Sequence, residues 1–269
     1  MQETRIHAAA LGVGLVLSAT GALAAPAETG KSFVGSPVAV GQGEAQVVVD
    51  TDGQGKPLSV SVLLSEGALS GLPGAEPGRH EWEYVLPMPE GGPRTGYDHA
   101  ALNWNPAGHP PPGIYAVPHF DVHFYLIGQQ DRERVTFQGA GAADAAKPPA
   151  AELLAEGYVA PPDTAVEKMG IHGLDPRGPE FHGQPFTHTF IYGYYQGKLV
   201  FVEPMVATAF LTSKPDVTAP VKRPQSYSYP AYYPSEYRVR YDPARKQYAL
   251  SLGGLVPWQM EAVSALPQK

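Results

Sequence analysis

Two histidines and an aspartate stand at alternate positions in Pro118-His119-Phe120-Asp121-Val122-His123-Phe124-Tyr125-Leu126-Ile127. Strict alternation is the signature of a half-buried strand. One face carries Phe120, Val122, Phe124 and Leu126 and is core-like. The other carries His119, Asp121, His123 and Tyr125. Imidazoles and a carboxylate in a row are costly to bury without partners. Such a row therefore points to a metal site, to proton handling, or to a closed network of polar side chains. The chain has no Cys, so a metal would be held by nitrogen and oxygen donors alone, which suits a divalent cation such as zinc.

Spacing restricts the ligand sets. Residues two apart on a strand are roughly 6.6 Å apart at Cα, and residues four apart roughly 13 Å. His119 and His123 can share one ion only on a bent or bulged strand. Asp121 with His123, or His119 with Asp121, is the expected chelating pair. Asp121 with His123 is preferred, because Pro118 interrupts pairing beside His119 and lets that end diverge. The remaining donors must converge from other strands. His172, between Gly170 and Gly173, can approach closely through its backbone. Glu203, at a strand end before Pro204, can face inward, and Glu180 is a further carboxylate. The candidate metal ligands are thus His119, Asp121, His123, His172 and Glu203. His109, between Gly108 and Pro110, reads as an exposed loop histidine. No Gly-x-Ser-x-Gly elbow, P-loop or dinucleotide fingerprint accompanies them.

The positioning elements read as short strands. Ala45 to Asp50 and Leu58 to Leu64 form a hairpin across Thr51–Pro57. Glu81 to Leu86 is a further strand, and residues 87–113 read as a long irregular loop leading into the central strand. Pro149 to Glu156 is the one expected helix, with Pro at its first turn and Gly157 at its end. Phe186 to Tyr195 and Lys198 to Glu203 pair across Gln196-Gly197. Pro204 breaks the second of these, and Met205 to Leu211 resumes it. Tyr237 to Tyr241 and Gln247 to Leu252 form a last hairpin. Tyr192, Tyr194, Tyr195, Tyr227, Tyr229, Tyr232, Tyr233 and Tyr237 suit a ligand pocket, an oligomer interface or simple strand packing. The expected fold is all-β, a barrel or sandwich of short antiparallel strands with long Pro/Gly-rich loops and one short helix.

Composition sets the class. Gly and Pro number 30 and 29 of 269 residues, and aromatics make 10%, which fits many short strands joined by turns. The formal net charge of -7, with no basic block, argues against nucleic-acid binding. Residues 1–24 combine a charged start, an apolar run from Ala8 to Leu17 and the small-residue pattern Ala22-Leu23-Ala24. That is the composition of a secretory signal peptide, too short in its apolar part to span a bilayer. The expected organisation is a signal over 1–24, a flexible mature N-terminus over 25–43 and a single β-rich domain over 44–269. The expected location is periplasmic or extracellular, without membrane insertion. A small-molecule ligand and a homo-oligomer are both compatible with these features.

Several signatures occur together: Pro118-His119-Phe120-Asp121-x-His123-Phe124-Tyr125, Met169-Gly170-x-His172, Phe201-x-Glu203-Pro204-Met205, Trp104-Asn105-Pro106-x-Gly108-His109 and Ile191-Tyr192-Gly193-x-Tyr195-x-Gly197. Over roughly residues 80 to 215 the chain resembles a family of uncharacterised, mostly exported bacterial β proteins, a domain of unknown function with a Thermus representative. The resemblance implies a β fold and marks these positions; it implies no activity. It also implies an aromatic residue after Met-Gly-x-His, where this chain has Gly173. Two classes of function follow from the residues. The chain is an exported metal protein, with or without a metal-dependent reaction, or it is a structural or ligand-binding β protein whose His/Asp face is a polar network.

Overall fold

The computed structural model describes residues 30–260. The stretch read as a signal peptide lies outside the described residues. In chain order the strands are β1 (Ser32–Val34), β2 (Val38–Val40), β3 (Gly43–Thr51), β4 (Pro57–Ser65), β5 (Trp82–Pro87), β6 (His99–Asn105), β7 (His119–Tyr125) and β8 (Ala165–Val166). They continue as β9 (Gly170–Gly173), β10 (His188–Tyr195), β11 (Lys198–Ala207), β12 (Asp216–Pro220), β13 (Ala231–Tyr233), β14 (Glu236–Asp242), β15 (Gln247–Gly253) and β16 (Val256–Trp258).

All pairings between these strands are antiparallel. One seven-stranded sheet runs β1-β3-β4-β15-β14-β12, with β2 also on β3. The other runs β5-β6-β7-β11-β10-β9-β8, and β13 pairs β16 separately. Val47, Val49, Val60, Val62 and Leu64 of the first sheet share one apolar core with Leu86, Leu102, Phe120, Phe124 and Val202 of the second. The two sheets therefore pack face to face, as the alternation along each strand requires. Burying a side chain such as Phe120 or Phe124 contributes about 1.5–3 kcal/mol, so this face fixes the register of β7. A slip of one residue would drive His119, Asp121 and His123 into the apolar core.

Four expectations are corrected. Residues 87–113 are not all loop, because β6 lies within them and pairs along its whole length with β7. Of the stretch 25–43, expected to be flexible, the described residues from 30 onward hold β1 and β2, which pair with β3. The helix expected over Pro149 to Glu156 is a single 3-10 turn at Ala151–Leu153. The backbone carbonyls there are used outside a helix: Leu153 accepts from Tyr194 Oη at 2.8 Å, and Glu152 from the Ser226 amide at 2.8 Å. The short helices fall elsewhere, at α1 (Gln129–Arg132), α2 (Ala142–Ala145) and α3 (Thr208–Thr212). Finally, Pro204 does not break β11. The β11–β7 register passes from Val202↔Phe124 to Met205↔Asp121 without pairs at Glu203 and Pro204, which is where a residue lacking an amide hydrogen can sit in a sheet. The strand then gives way to α3 in place of a strand reaching Leu211.

The tyrosines pack the interior. Tyr192, Tyr194, Tyr232, Tyr233 and Tyr237 are buried in the shared core, and Tyr227 stacks on Tyr233 with ring centroids 3.5 Å apart.

Candidate metal centre

The site lies on the face of the second sheet turned away from the shared core. β6 presents His99, Ala101, Asn103 and Asn105 on that face, opposite Tyr125, His123, Asp121 and His119 of β7. On β11, Phe201 and Met205 stand opposite Tyr125 and Asp121, so Glu203 between them comes level with His123. Next to β11, Gly193 of β10 pairs with both Phe201 and His172. A Cβ at Gly193 would meet the Phe201 ring at 2.0 Å. The absence of a side chain there lets Phe201 lie flat across the strand and lets His172 reach over it. Apolar side chains close both ends of the row: Tyr125, Met169, Val200 and Phe201 at one, Tyr115, Phe186, Ile191 and Met205 at the other.

The structure sorts the donors into two groups, His123–His172–Glu203 and His109–His119–Asp121. Within each, one donor atom per residue lies within 4.8 Å of the others. In the first, Glu203 Oε2 is 3.5 Å from His123 Nε2 and 3.8 Å from His172 Nε2. In the second, Asp121 Oδ1 is 3.1 Å from His119 Nε2, and Oδ2 is 3.3 Å from His109 Nε2. A tetrahedral zinc ion with donors at about 2.0–2.1 Å separates neighbouring donors by roughly 3.3 Å. The carboxylate–imidazole distances, 3.5 and 3.8 Å in the first group and 3.1 and 3.3 Å in the second, lie near that spacing.

Each histidine is oriented by its other nitrogen. Nδ1 of His109, His119 and His172 donates to the carbonyls of Pro110, Val117 and Thr164, at 2.7, 2.7 and 2.9 Å. His123 Nδ1 lies 3.1 Å from Asn103 Oδ1. The Asn103 amide nitrogen donates to Glu81 at 2.7 Å, so its oxygen must face His123, and His123 Nδ1 carries the hydrogen. In its neutral form each of the four rings thus turns a bare Nε2 lone pair toward a carboxylate oxygen, the tautomer and orientation of metal-binding imidazoles. His119 Nε2, Asp121 Oδ1, His123 Nε2 and Glu203 Oε2 are buried and make no hydrogen bond despite their proximity. Lone pair facing lone pair in a buried site calls for a cation or a proton between them.

Electrostatics differ between the groups. Burial pushes the Glu203 carboxyl well above the usual carboxylate range, and the nearby Asp121 and Glu81 charges add to the shift. Burial likewise holds His123 well below an ordinary imidazole and lowers His172. Around Asp121, burial alone would raise the carboxyl, but positive charge and hydrogen bonding from the His119 and His109 side outweigh it and keep the group ionised; in the metal-free chain protons supply the charge that a bound cation would bring. Burial opposes the charge on His109, while its contact with Asp121 favours it, and the net shift is upward. Burial and the Asp121 charge push Glu81 up to about 7.

Of the residues singled out in the sequence, all five candidate ligands lie on this face. The structure separates Asp121 from His123, placing Asp121 with His119 and His123 with Glu203. His109, read as an exposed loop residue, joins Asp121 through a loop that folds back on β7: Gly108 has φ +72°, and the His109 amide donates to the Tyr115 carbonyl at 3.2 Å. Glu180 enters neither group and accepts from Tyr115 Oη at 3.3 Å. Gly173 packs on Tyr194, whose ring a Cβ would meet at 2.8 Å, so an aromatic side chain there would displace Tyr194. Asn103, Asn105 and Glu81 were missed in the sequence. The signal for the two asparagines is the alternation His99-x-Ala101-x-Asn103-x-Asn105, hidden by low strand propensity.

Residues 52–104 match the sequence model of a family described as TTHB210-like, hypothetical protein TTHB210. This supports the resemblance to an uncharacterised family with a Thermus representative. The match spans less than half of the chain and overlaps the resembling stretch in β5 and β6. No curated protein and no solved structure matches.

Proposed function

We propose that this chain is a metal protein that holds a divalent cation, zinc by the chemistry of its donors, at His123, His172 and Glu203. The observation that carries the reading is the pair His123 Nε2 and Glu203 Oε2, 3.5 Å apart, both buried and both without a hydrogen bond. The Nδ1 hydrogens of His123 and His172 are already committed, so neither neutral ring has a hydrogen to offer the carboxylate. Three protein donors leave a fourth tetrahedral position for water, the arrangement on which zinc-dependent reactions are built.

A second reading has its own support. Glu203 is raised well above the usual carboxylate range, so its proton could bridge to His123 and close a metal-free polar network. Elemental analysis of the protein purified without added metal, followed by calorimetric titration with zinc, decides between them. The metal reading expects bound zinc, or saturable zinc binding after chelation, and the loss in His172→Ala of the ion held with His123 and Glu203. Protein that carries no metal and gives no binding heat supports the network.

The reading includes export, supported by the composition of residues 1–24. Intact-mass measurement on cell-envelope material should find a mature N-terminus near Ala25; retention of Met1 contradicts export.

A further inference from the structure

We propose that His109, His119 and Asp121 form a second divalent-cation site, filled independently of the first and exchanging its ion faster. The inference rests on reading this face of the sheet as metal-binding, but on donors that do not overlap those of the first site. Asp121 Oδ1 and His119 Nε2 lie 3.1 Å apart, deeply buried, without a hydrogen bond between them. Neither has another partner: His119 uses Nδ1 on the Val117 carbonyl, and Asn105 Nδ2 donates to Asp121 Oδ2 at 2.7 Å. That bond fixes the carboxylate plane and leaves Oδ1 free as a ligand. His109 supplies the third donor from the Oδ2 side of the carboxylate, its Nε2 3.3 Å from that oxygen and its Nδ1 held by the Pro110 carbonyl.

The loop that brings His109 is built for this placement. A Cβ at Gly108 would meet the Tyr115 carbonyl oxygen at 2.0 Å, so only glycine lets the chain double back closely enough. Tyr115 and Phe186 then pack edge-on against His109 and His119, with centroids 5.8 and 5.6 Å apart. The two sites occupy neighbouring positions along β7, where Asp121 and His123 are roughly 6.6 Å apart at Cα. They differ in exposure. The side chain of His109 is 32% exposed, against 16% for His172 and 1% for both His123 and Glu203. An ion at the outer site can be reached through the His109 loop, which makes it the exchangeable one.

Zinc stoichiometry of the full chain tests this. The protein is saturated with zinc, freed of excess and analysed by native mass spectrometry, with circular dichroism to confirm folding. We expect two zinc ions per chain in the wild type and one each in His109→Ala and His172→Ala. EDTA should strip the ion retained by His172→Ala at least tenfold faster than the ion retained by His109→Ala. One ion in the wild type that persists in His109→Ala overturns the second site and leaves the first standing. One ion that is lost in His109→Ala and kept in His172→Ala overturns the first site and leaves this one. Equal stripping rates overturn the assignment of the outer site as the faster one. Should His109→Ala fail to fold, zinc-edge anomalous maps of the wild type settle the matter by showing density between His119 and Asp121 or none.

Discussion

At the scale of single residues, Glu203 separates a metal site from a polar network. Without a cation its carboxyl is held far on the protonated side by burial, so Glu203→Gln is close to isosteric and neutral for neutral. The metal-free melting temperature should change by little, while zinc affinity at the His123–His172–Glu203 site falls at least 100-fold in calorimetry. Asn103 acts through His123. Its oxygen receives the Nδ1 hydrogen and its nitrogen is anchored on Glu81, so Asn103→Ala should weaken zinc binding by roughly 10- to 100-fold. Glu203 also sets a proton balance. A carboxyl whose folded pKa lies above the unfolded value near 4.3 binds more protons when folded, so it removes stability from the metal-free protein as pH rises above about 4.3. Zinc needs the ionised form, so binding at this site should release a proton. Calorimetry in buffers of different ionisation enthalpy measures that release; heats that do not vary with buffer contradict it.

At the scale of elements, the site is a register effect. β6, β7 and β11 bring donors together because their apolar faces lock onto the opposing sheet, and Gly193 clears the path from His172 to Glu203. Gly193→Ala forces a methyl against the buried Phe201 ring, 2.0 Å from its nearest atom. Overpacking of this kind costs about 1–3 kcal/mol, which urea denaturation would register, and zinc affinity should fall with it. This scale also shows what could be read from the sequence. The alternation of β7 was plain, since Phe120, Val122 and Phe124 stand out against His119, Asp121 and His123. β6 was not, because His99-Ala-Ala-Leu-Asn-Trp-Asn105 has no β-branched residue and two asparagines, a composition that suggests a loop. Its strand character comes from pairing with β5 and β7, a tertiary effect. The grouping of donors was hidden for a related reason. Alternation places His119, Asp121 and His123 on one face, but which partner each meets depends on Glu203 of β11 and on a loop that doubles back at Gly108.

At the scale of the whole molecule, the donors join chain segments far apart in sequence: the His109 loop, β7, β9 and β11. A cation bound only by the folded chain stabilises it by mass action, by about 2.7 kcal/mol at a free concentration 100 times Kd. For a chain of this size that corresponds to roughly 5–10 °C in melting temperature. Chelation should lower the transition by this amount and added zinc should restore it, as followed by differential scanning calorimetry. Magnesium should not substitute, since it prefers an octahedral shell of oxygen donors.

The most direct test of the central claim is a zinc-edge anomalous difference map from crystals of the zinc-loaded protein. A peak is expected at about 2.0–2.1 Å from Nε2 of both His123 and His172 and at about 2.0–2.2 Å from the Glu203 carboxylate. A map with no peak among these three residues, and Glu203 hydrogen-bonded directly to His123, would contradict it.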